Sequence, residues 1–243
     1  MSNKIFSQDI VYFKNKLENN ETFSFSKYAD GEWAVIKNHS INNKEFWFDP
    51  TNENDQYKRR ALIESFKYKN SNYYVGISCP CCQGIETFNE MKIFSEQDDE
   101  KLTWANIWVN NNYKYYIDNI IPIFNNKNII LFCNENGNIN DLPFKPYIVF
   151  PLKHNAWEYN WDTIDRAKQL ISILKASKIN NLVFLFCCGP FGNILCHQLT
   201  KYDPDNTYLD IGSTLNPWLK SAGFERLYYM SDNFFSRMEC VWG

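Results

Sequence analysis

The pattern of apolar positions along the chain divides it into short strands and longer helices. Three runs are continuously apolar, at residues 128–133, 147–151 and 181–188. Continuous apolarity, unlike strict alternation, indicates strands that are buried on both faces, which is typical of a parallel sheet. Residues 162–175 and 193–201 have apolar positions at helical spacing and predict helices. Strand, loop and helix therefore alternate through the second half, which predicts an α/β fold with a mainly parallel sheet flanked by helices.

The remaining segments follow the same two patterns. Alternating or short apolar runs predict three more strands, at residues 22–28, 73–77 and 207–212. Helical spacing predicts three more helices, at residues 7–20, 55–68 and 104–124. No long linker, internal repeat or low-complexity block interrupts the chain, so we expect one domain over residues 1–243.

Composition excludes some classes of protein. Hydrophobic residues make up 44% of the 243 residues and charged residues 22%, so the apolar material suffices for a core. The net charge of -3 offers no basic field, and we therefore expect no binding to nucleic acid. Aromatic residues reach 17%. That share suits the binding of sugar rings, but it is also typical of an Asn-, Lys- and Tyr-rich genome.

The chain start and the cysteines bear on the cellular compartment. No apolar h-region follows the first residues, and no run approaches the roughly 18–20 apolar residues of a transmembrane helix. The eight cysteines then predict reduced thiols and a cytoplasmic protein. Cys79, Cys81 and Cys82 are clustered, but no second pair follows at the spacing of a zinc site, so a loop at a strand end is favoured.

Polar and glycine-rich motifs follow several of the predicted strands. In open parallel sheets, ligands bind at the carboxyl ends of the strands, so one site can draw on most of these motifs. The motifs are residues 30–32, 79–83, 134–137, 153–155, 189–192 and 210–212.

The motif Asp30-Gly31-Glu32 is a candidate metal site. If the segment is extended, residues two apart project to the same side and the two carboxylates converge on one point. Gly31 would let a ligand approach the backbone closely. Hard carboxylate oxygens favour Mg²⁺ or Mn²⁺. The alternative is an ordinary strand-to-helix junction, in which Asp30 caps a helix and Glu32 lies in its first turn.

The loop Gly189-Pro190-Phe191-Gly192 is a candidate phosphate site, because it joins a buried strand to a helix N-terminus. It matches neither a Walker loop nor G-x-G-x-x-G, and a tight turn is the alternative interpretation. Asp210, followed by Gly212, ends the next strand and would bind ribose hydroxyls, act as a base or cap a helix. No catalytic triad is indicated by spacing.

The order of these motifs resembles that of GT-D type glycosyltransferases. Residues 25–33 (FSKYADGEW) are similar to that family's R-[FY]-G-D-G-E-[FW] signature, and Gly189-Pro190 with residues 210–212 resemble its C-terminal half. Residues 105–111 and 155–157 are similar as well, so the resemblance spans about residues 23–212. In two places the chain departs from the pattern: Lys27 replaces the usual Arg and Ala29 the usual Gly, which puts the identity of the donor in question.

The resemblance implies a Rossmann-like domain, a nucleotide-sugar donor and a D-x-E metal site at Asp30 and Glu32. We therefore predict a metal-dependent enzyme that moves a hexose from a UDP- or GDP-type donor to a glycan or glycoprotein acceptor. The remaining candidate residues are Lys27, Gly31, Gly189, Pro190, Gly192 and Gly212 for donor binding, and His154, Glu158 or Asp210 as the base. The alternatives are a methyltransferase that uses S-adenosylmethionine, a non-catalytic glycan- or nucleotide-binding module, and an aromatic-rich interaction protein.

Overall fold

A computed structural model of the chain describes residues 4–43, 45–220, 226–229 and 234–243. Within these ranges the strands are β1 (Ser24–Lys27), β2 (Ile41–Asn42), β3 (Trp47–Phe48), β4 (Tyr73–Ile77), β5 (Leu102–Trp104), β6 (Asn128–Asn134), β7 (Ile148–Leu152), β8 (Leu182–Phe186) and β9 (Thr207–Asp210). Seven of them form one parallel sheet in the order β5-β4-β1-β9-β8-β6-β7, and β2 pairs with β3 as an antiparallel hairpin.

Helices connect the strands and cover the sheet. They are α1 (Phe6–Glu18), α2 (Asp30–Ile36), α3 (Glu53–Lys67), α4 (Pro80–Gln83), α5 (Ile85–Phe94), α6 (Tyr113–Tyr115), α7 (Ala156–Tyr159), α8 (Asp162–Ala176), α9 (Pro190–Tyr202), α10 (Asn216–Leu219) and α11 (Phe234–Arg237). A π-helical turn at Tyr116–Ile120 and a 3-10 helix at Ile121–Asn126 continue α6. In the described part of the chain, no helix is both long enough and apolar enough to cross a membrane.

Two hydrophobic clusters lie on opposite faces of the sheet. Successive strand residues alternate between them, so that Val75 belongs to one cluster and its neighbour Tyr74 to the other. All five residues of β8 are buried, because both faces of this central strand are covered. The α/β class and the parallel sheet predicted from continuous apolar runs are therefore confirmed.

The helix predicted over residues 104–124 is wrong at its start. Trp104 is the last residue of β5, which pairs with β4 at the edge of the sheet, and α6 begins only at Tyr113. The intervening backbone turns at Asn110, which has a left-handed φ of 54°. A strand of three residues is too short to have a periodicity of its own, and only its pairing with β4 identifies it.

Candidate functional site

The carboxyl ends of the parallel strands form one edge of the sheet, and the polar motifs gather there. β1 ends at Lys27 and its neighbour β9 ends at Asp210, while β8 leads into Gly189. Two cavities open along this edge, a larger one of about 410 Å³ and a smaller one of about 160 Å³. The larger volume falls within the roughly 300–1,000 Å³ typical of small-molecule sites.

The two cavities meet at a shared wall. The larger cavity is lined by residues 29–32, by the segment after β5 and by Phe46 of the hairpin loop. The smaller cavity is lined by the segments after β6, β7, β8 and β9. Five residues line both: Lys27, Glu32, Glu45, Ser213 and Arg226. We call these five residues the shared wall, and two of them, Glu45 and Arg226, form an ion pair.

Asp30 and Glu32 do not lie in an extended segment, so the sequence-based reason for their convergence is wrong. They are the first and third residues of α2, and helical residues two apart project about 200° from each other. Asp30 is accordingly exposed and Glu32 buried. Both side chains nevertheless line the larger cavity, because that cavity wraps around the N-terminus of α2.

Glu32 also closes the first turn of α2. Its Oε2 atom accepts a hydrogen bond of 3.0 Å from the backbone N–H of Ala29, which fixes the direction of the side chain. This bond leaves Oε1 available to a ligand in the cavity. Gly31 lies between the two acids, and a Cβ atom there would be 3.1 Å from Cζ of Phe46, so a side chain at this position would crowd the Phe46 ring.

Lys27 supplies positive charge to the shared wall. Burial works to lower the pKa of Lys27, but the carboxylates of Glu32 and Asp210 outweigh it and raise the pKa above its ordinary value. The Asn193 side chain, which the sequence did not single out, holds this end of β1. Its Nδ2 atom donates to the backbone oxygen of Lys27 at 2.6 Å and to Oγ of Ser26 at 3.1 Å.

Asp210 is 3% exposed and lines the smaller cavity. Desolvation raises its pKa to about 7, against the opposing effect of the Lys27 charge. The backbone N–H of Gly212 donates to Oδ1 of Asp210 at 3.0 Å. A carboxyl group with a pKa near neutrality suits proton transfer at physiological pH.

The glycine loop makes a tight turn, which was the alternative interpretation of its sequence, with a positive φ that glycine adopts readily. Gly189 has a φ of 56° and precedes Pro190, the first residue of α9. Gly189 lines the smaller cavity, whereas Pro190 and Gly192 are buried beneath it. A Cβ atom on Gly192 would lie 3.4 Å from Cγ of Asp210, so the first turn of α9 packs directly on this carboxyl group.

Gly212 allows the loop after β9 to turn against Lys27. It has a φ of 54°, and a Cβ atom there would lie 3.4 Å from Nζ of Lys27. A side chain at this position would therefore strain the backbone and crowd the ammonium group.

Two of the three candidate bases share one cavity, and the third lies outside both cavities. His154 lines the smaller cavity together with Asp210. Glu158, in α7, is not among the lining residues of either cavity and forms an ion pair with Lys58. Lys58 is buried and pairs with Asp55 at 2.7 Å as well, so Glu158 is the half-buried member of an ionic group whose other two residues are buried.

Asn155 belongs to the motif at residues 153–155, but the sequence analysis gave its side chain no role. It is 2% exposed, has a φ of 53° and lines the smaller cavity. Neither Oδ1 nor Nδ2 of its side chain has a hydrogen-bond partner among the described residues. A buried amide costs free energy unless it is paired, so these two atoms favour a ligand that both donates and accepts.

Three further residues, Glu45, Arg226 and Tyr228, line the cavities although the sequence did not indicate them. They come from the hairpin loop and from the short segment 226–229, neither of which carries a motif. The hydroxyl groups of Tyr228 and Tyr229 bond to Ser213, through its Oγ and its backbone oxygen respectively. These contacts place Arg226 against the loop after β9, where it joins the shared wall.

The seven-stranded parallel sheet, with its cavities at the carboxyl edge, defines an α/β protein. Two solved structures are similar to it. One is described as the highly conserved domain of unknown function 1792, with a distinct glycosyltransferase fold; it is 14% identical, has a TM-score of 0.56, and the match covers 84% of this chain and 77% of that chain. The other is the selenomethionine-substituted structure of domain of unknown function 1792, 13% identical with a TM-score of 0.58, covering 96% and 88% respectively. The fold that the sequence resemblance implied is thereby confirmed.

At the level of sequence, no protein-family model matches the chain and no curated protein matches it. At 14% and 13% identity, the similarity to the two solved structures therefore concerns the fold alone.

Proposed function

We propose that the protein is a metal-dependent glycosyltransferase that moves a hexose from a UDP- or GDP-type nucleotide sugar to a glycan or glycoprotein acceptor. The observation that carries this proposal is the shared wall, where Lys27 and Arg226 stand beside Glu32 between two cavities of unequal size. Transfer is faster when two substrates are held side by side and when charged groups stabilise the charge that develops between them, which two adjoining cavities with a charged junction can provide.

The larger cavity suits the nucleotide of the donor, because of its volume and because it contains both acids of the D-x-E motif. The diphosphate would then reach the shared wall, where the cationic groups of Lys27 and Arg226 bind phosphate oxygens. The sugar would project towards the smaller cavity, where the amide of Asn155 and the carboxyl group of Asp210 meet it.

Asp30 and Glu32 would hold Mn²⁺ or Mg²⁺ in this arrangement. Their carboxylates line one cavity, and the Oε1 atom of Glu32 is not used by the helix cap. Two carboxylates are a sufficient protein contribution, since such ions take their other ligands from phosphates and water. When bound, the ion neutralises charge on the leaving nucleoside diphosphate.

Asp210 is the base that we propose for the acceptor hydroxyl in an inverting reaction. It lines the smaller cavity, towards which the donor sugar would project, and its pKa of about 7 lets it both take up and release a proton near neutrality. His154 lines the same cavity and is the second candidate. Glu158 is less suited, because its carboxylate pairs with Lys58.

The test is a thermal-shift panel of UDP-, GDP-, CMP- and dTDP-sugars, each with and without Mn²⁺, and of S-adenosylmethionine, followed by assays of donor hydrolysis and transfer. A donor at a hundred times its Kd stabilises the native state by about 2.7 kcal/mol, which is roughly 5–10 °C in Tm for a chain of this size. We expect such a shift for one nucleotide class and only with the ion, together with release of nucleoside diphosphate.

Three results would overturn the proposal. A shift with S-adenosylmethionine and none with any nucleotide sugar would favour the methyltransferase. Nucleotide-sugar binding with no hydrolysis or transfer to any glycan tested would favour a binding module. A donor shift of equal size in EDTA would contradict the assignment of the metal to Asp30 and Glu32.

A further inference from the structure

Four cysteine thiols converge beside the site. Cys79 follows β4, Cys81 and Cys82 lie in α4, and Cys240 comes from the end of the chain. Their Sγ atoms all lie within 4.8 Å of one another, and we call this group the cysteine cluster. Cys79 and Cys240 are buried, Cys82 is half-buried and Cys81 is exposed. Cys240 lies far from the other three in the sequence, so no local spacing predicts it. It supplies the fourth ligand that the sequence pattern of a zinc site requires.

Two asparagine side chains direct amide groups at these sulfurs. Nδ2 of Asn106 donates to Sγ of Cys82 at 3.3 Å, and Nδ2 of Asn110 donates to Sγ of Cys240 at 3.4 Å. Asn110 is buried and has a left-handed φ of 54°, a conformation that Asn adopts more readily than most residues, and its amide reaches the sulfur from there. A neutral thiol is a weak acceptor, whereas a metal-bound thiolate gains from such donors.

We propose that the cysteine cluster binds one zinc ion as a closed, structural tetrathiolate site. Tetrahedral zinc with bonds of about 2.3 Å to sulfur places its four sulfurs about 3.8 Å apart, which fits the spread of the cluster. The shortest sulfur contacts, 2.9 and 3.1 Å from Cys79, need to widen by less than about 1 Å to admit the ion. An iron–sulfur cubane needs sulfurs further apart, because its four irons stand between them.

The site would tie the C-terminal segment to the sheet. The Nε1 atom of Trp104 donates to the backbone oxygen of Val241 at 3.2 Å, and the Trp242 ring packs edge-on against Trp104 with centroids 5.1 Å apart. The backbone N–H of Asn111 donates to the oxygen of Met238 at 3.2 Å. The zinc therefore adds a link to a segment that already docks on β5.

The link extends to the larger cavity through Asn106. This residue lines the cavity and bonds to Cys82, so the ion would stiffen the wall formed by the segment after β5. Zinc with four thiolates leaves no open position for substrate, so its role is structural and differs from that of the ion proposed at Asp30 and Glu32. Zinc content can thus be measured whether or not the protein transfers sugar.

The experiment measures metal content by elemental mass spectrometry and native mass spectrometry on the full chain purified without chelators. We expect about one zinc per chain in the wild type, and loss of that zinc in Cys240→Ser and Cys82→Ser. The matched control is Cys133→Ala, which removes a buried thiol of β6 outside the cluster and is expected to keep the zinc. Asn110→Gly keeps all four ligands and suits the left-handed φ of this position, and it is expected to weaken zinc binding about tenfold to a hundredfold.

A second measurement covers the case in which the cysteine variants fail to fold. Wild-type protein stripped with a chelator is titrated with Co²⁺, and we expect the visible absorption of a tetrahedral thiolate complex, abolished by added Zn²⁺. Wild-type protein with no zinc and no cobalt spectrum would overturn the proposal. So would bound iron in place of zinc, or fewer than the eight free thiols of the sequence after denaturation, which would indicate a disulfide. Asp30→Asn is expected to leave the zinc in place, which separates this site from the proposed donor metal.

Discussion

Lys27 and Asp210 end neighbouring strands, and each changes the protonation of the other. The carboxylate of Asp210 helps to raise the pKa of Lys27, and the ammonium group of Lys27 holds the pKa of Asp210 below the value that burial alone would give it. Burial still dominates at Asp210, whose pKa rises from 3.8 to about 7. The pair therefore places a proton-exchanging carboxyl group beside a fixed positive charge.

This relationship predicts a pH-dependent stability that Asp210→Asn removes. Because the pKa of Asp210 is higher in the folded protein, the folded protein binds more protons than the unfolded chain between pH 3.8 and about 7. The contribution of Asp210 to stability is therefore complete below pH 3.8 and is lost as the pH rises to about 7. The largest contribution is about 4 kcal/mol. Denaturant unfolding in EDTA across this window should show a flatter profile for Asp210→Asn than for wild type. Lys27→Met should move the window to higher pH, and an unchanged profile in both variants would contradict the coupling.

Asp30→Asn tests the proposed metal site with little effect on folding. Asp30 is exposed, so its amide variant should unfold at nearly the wild-type denaturant concentration. We expect Mn²⁺-dependent donor binding to weaken more than about a hundredfold. The reason is that Asp30 would contact the ion directly, and losing a residue that only contacts a metal ligand already costs roughly tenfold to hundredfold. The matched control is Asp162→Asn, another exposed aspartate at the first position of a helix, which should bind donor normally. Equal donor affinity in the two variants would remove Asp30 from the metal site.

Asn155 and Asn160 offer a contrast between a ligand-directed amide and a structural one. Asn155 has no hydrogen-bond partner among the described residues, whereas Nδ2 of Asn160 donates to the oxygen of Ala156 at 2.9 Å and its Oδ1 accepts from Lys153 N–H at 3.3 Å. Asn155→Gly, which suits the left-handed φ of this position, should therefore weaken substrate binding about tenfold at nearly unchanged stability, and Asn160→Ala should lose about 1–3 kcal/mol of stability. Calorimetric titration and denaturant unfolding separate the two effects, and the reverse pattern would show that Asn155 is structural.

Glu158→Gln distinguishes a structural acid from a catalytic one. Glu158 pairs with Lys58, which is buried and also contacts Asp55. Loss of one carboxylate charge should cost about 1–3 kcal/mol and leave turnover per folded molecule within about twofold of wild type. Lys58→Met should cost more, about 3–5 kcal/mol, since it leaves two carboxylates without a counter-charge. A large fall in kcat at wild-type stability would instead assign Glu158 to the reaction.

Local patterns sufficed for the elements that position the site. The continuous apolar runs of β6 and β8 predicted strands of a parallel sheet, and the acids and glycines after the strands lie at its carboxyl edge. The motif Asp30-Gly31-Glu32 was located by sequence, but its conformation was not. An extended segment and a first helical turn can have the same three residues, and the choice depends on how α2 packs.

The sequence by itself determined the class of fold and the edge of the sheet where ligands would bind, because hydrophobic periodicity reports local burial directly. Only the tertiary structure decided which distant side chains share that edge. Arg226 reaches the shared wall, and Cys240 joins Cys79 and Cys82, through contacts between segments far apart in the chain. Such contacts follow from strand order and packing, and they leave no periodic or local signal in the residues that make them.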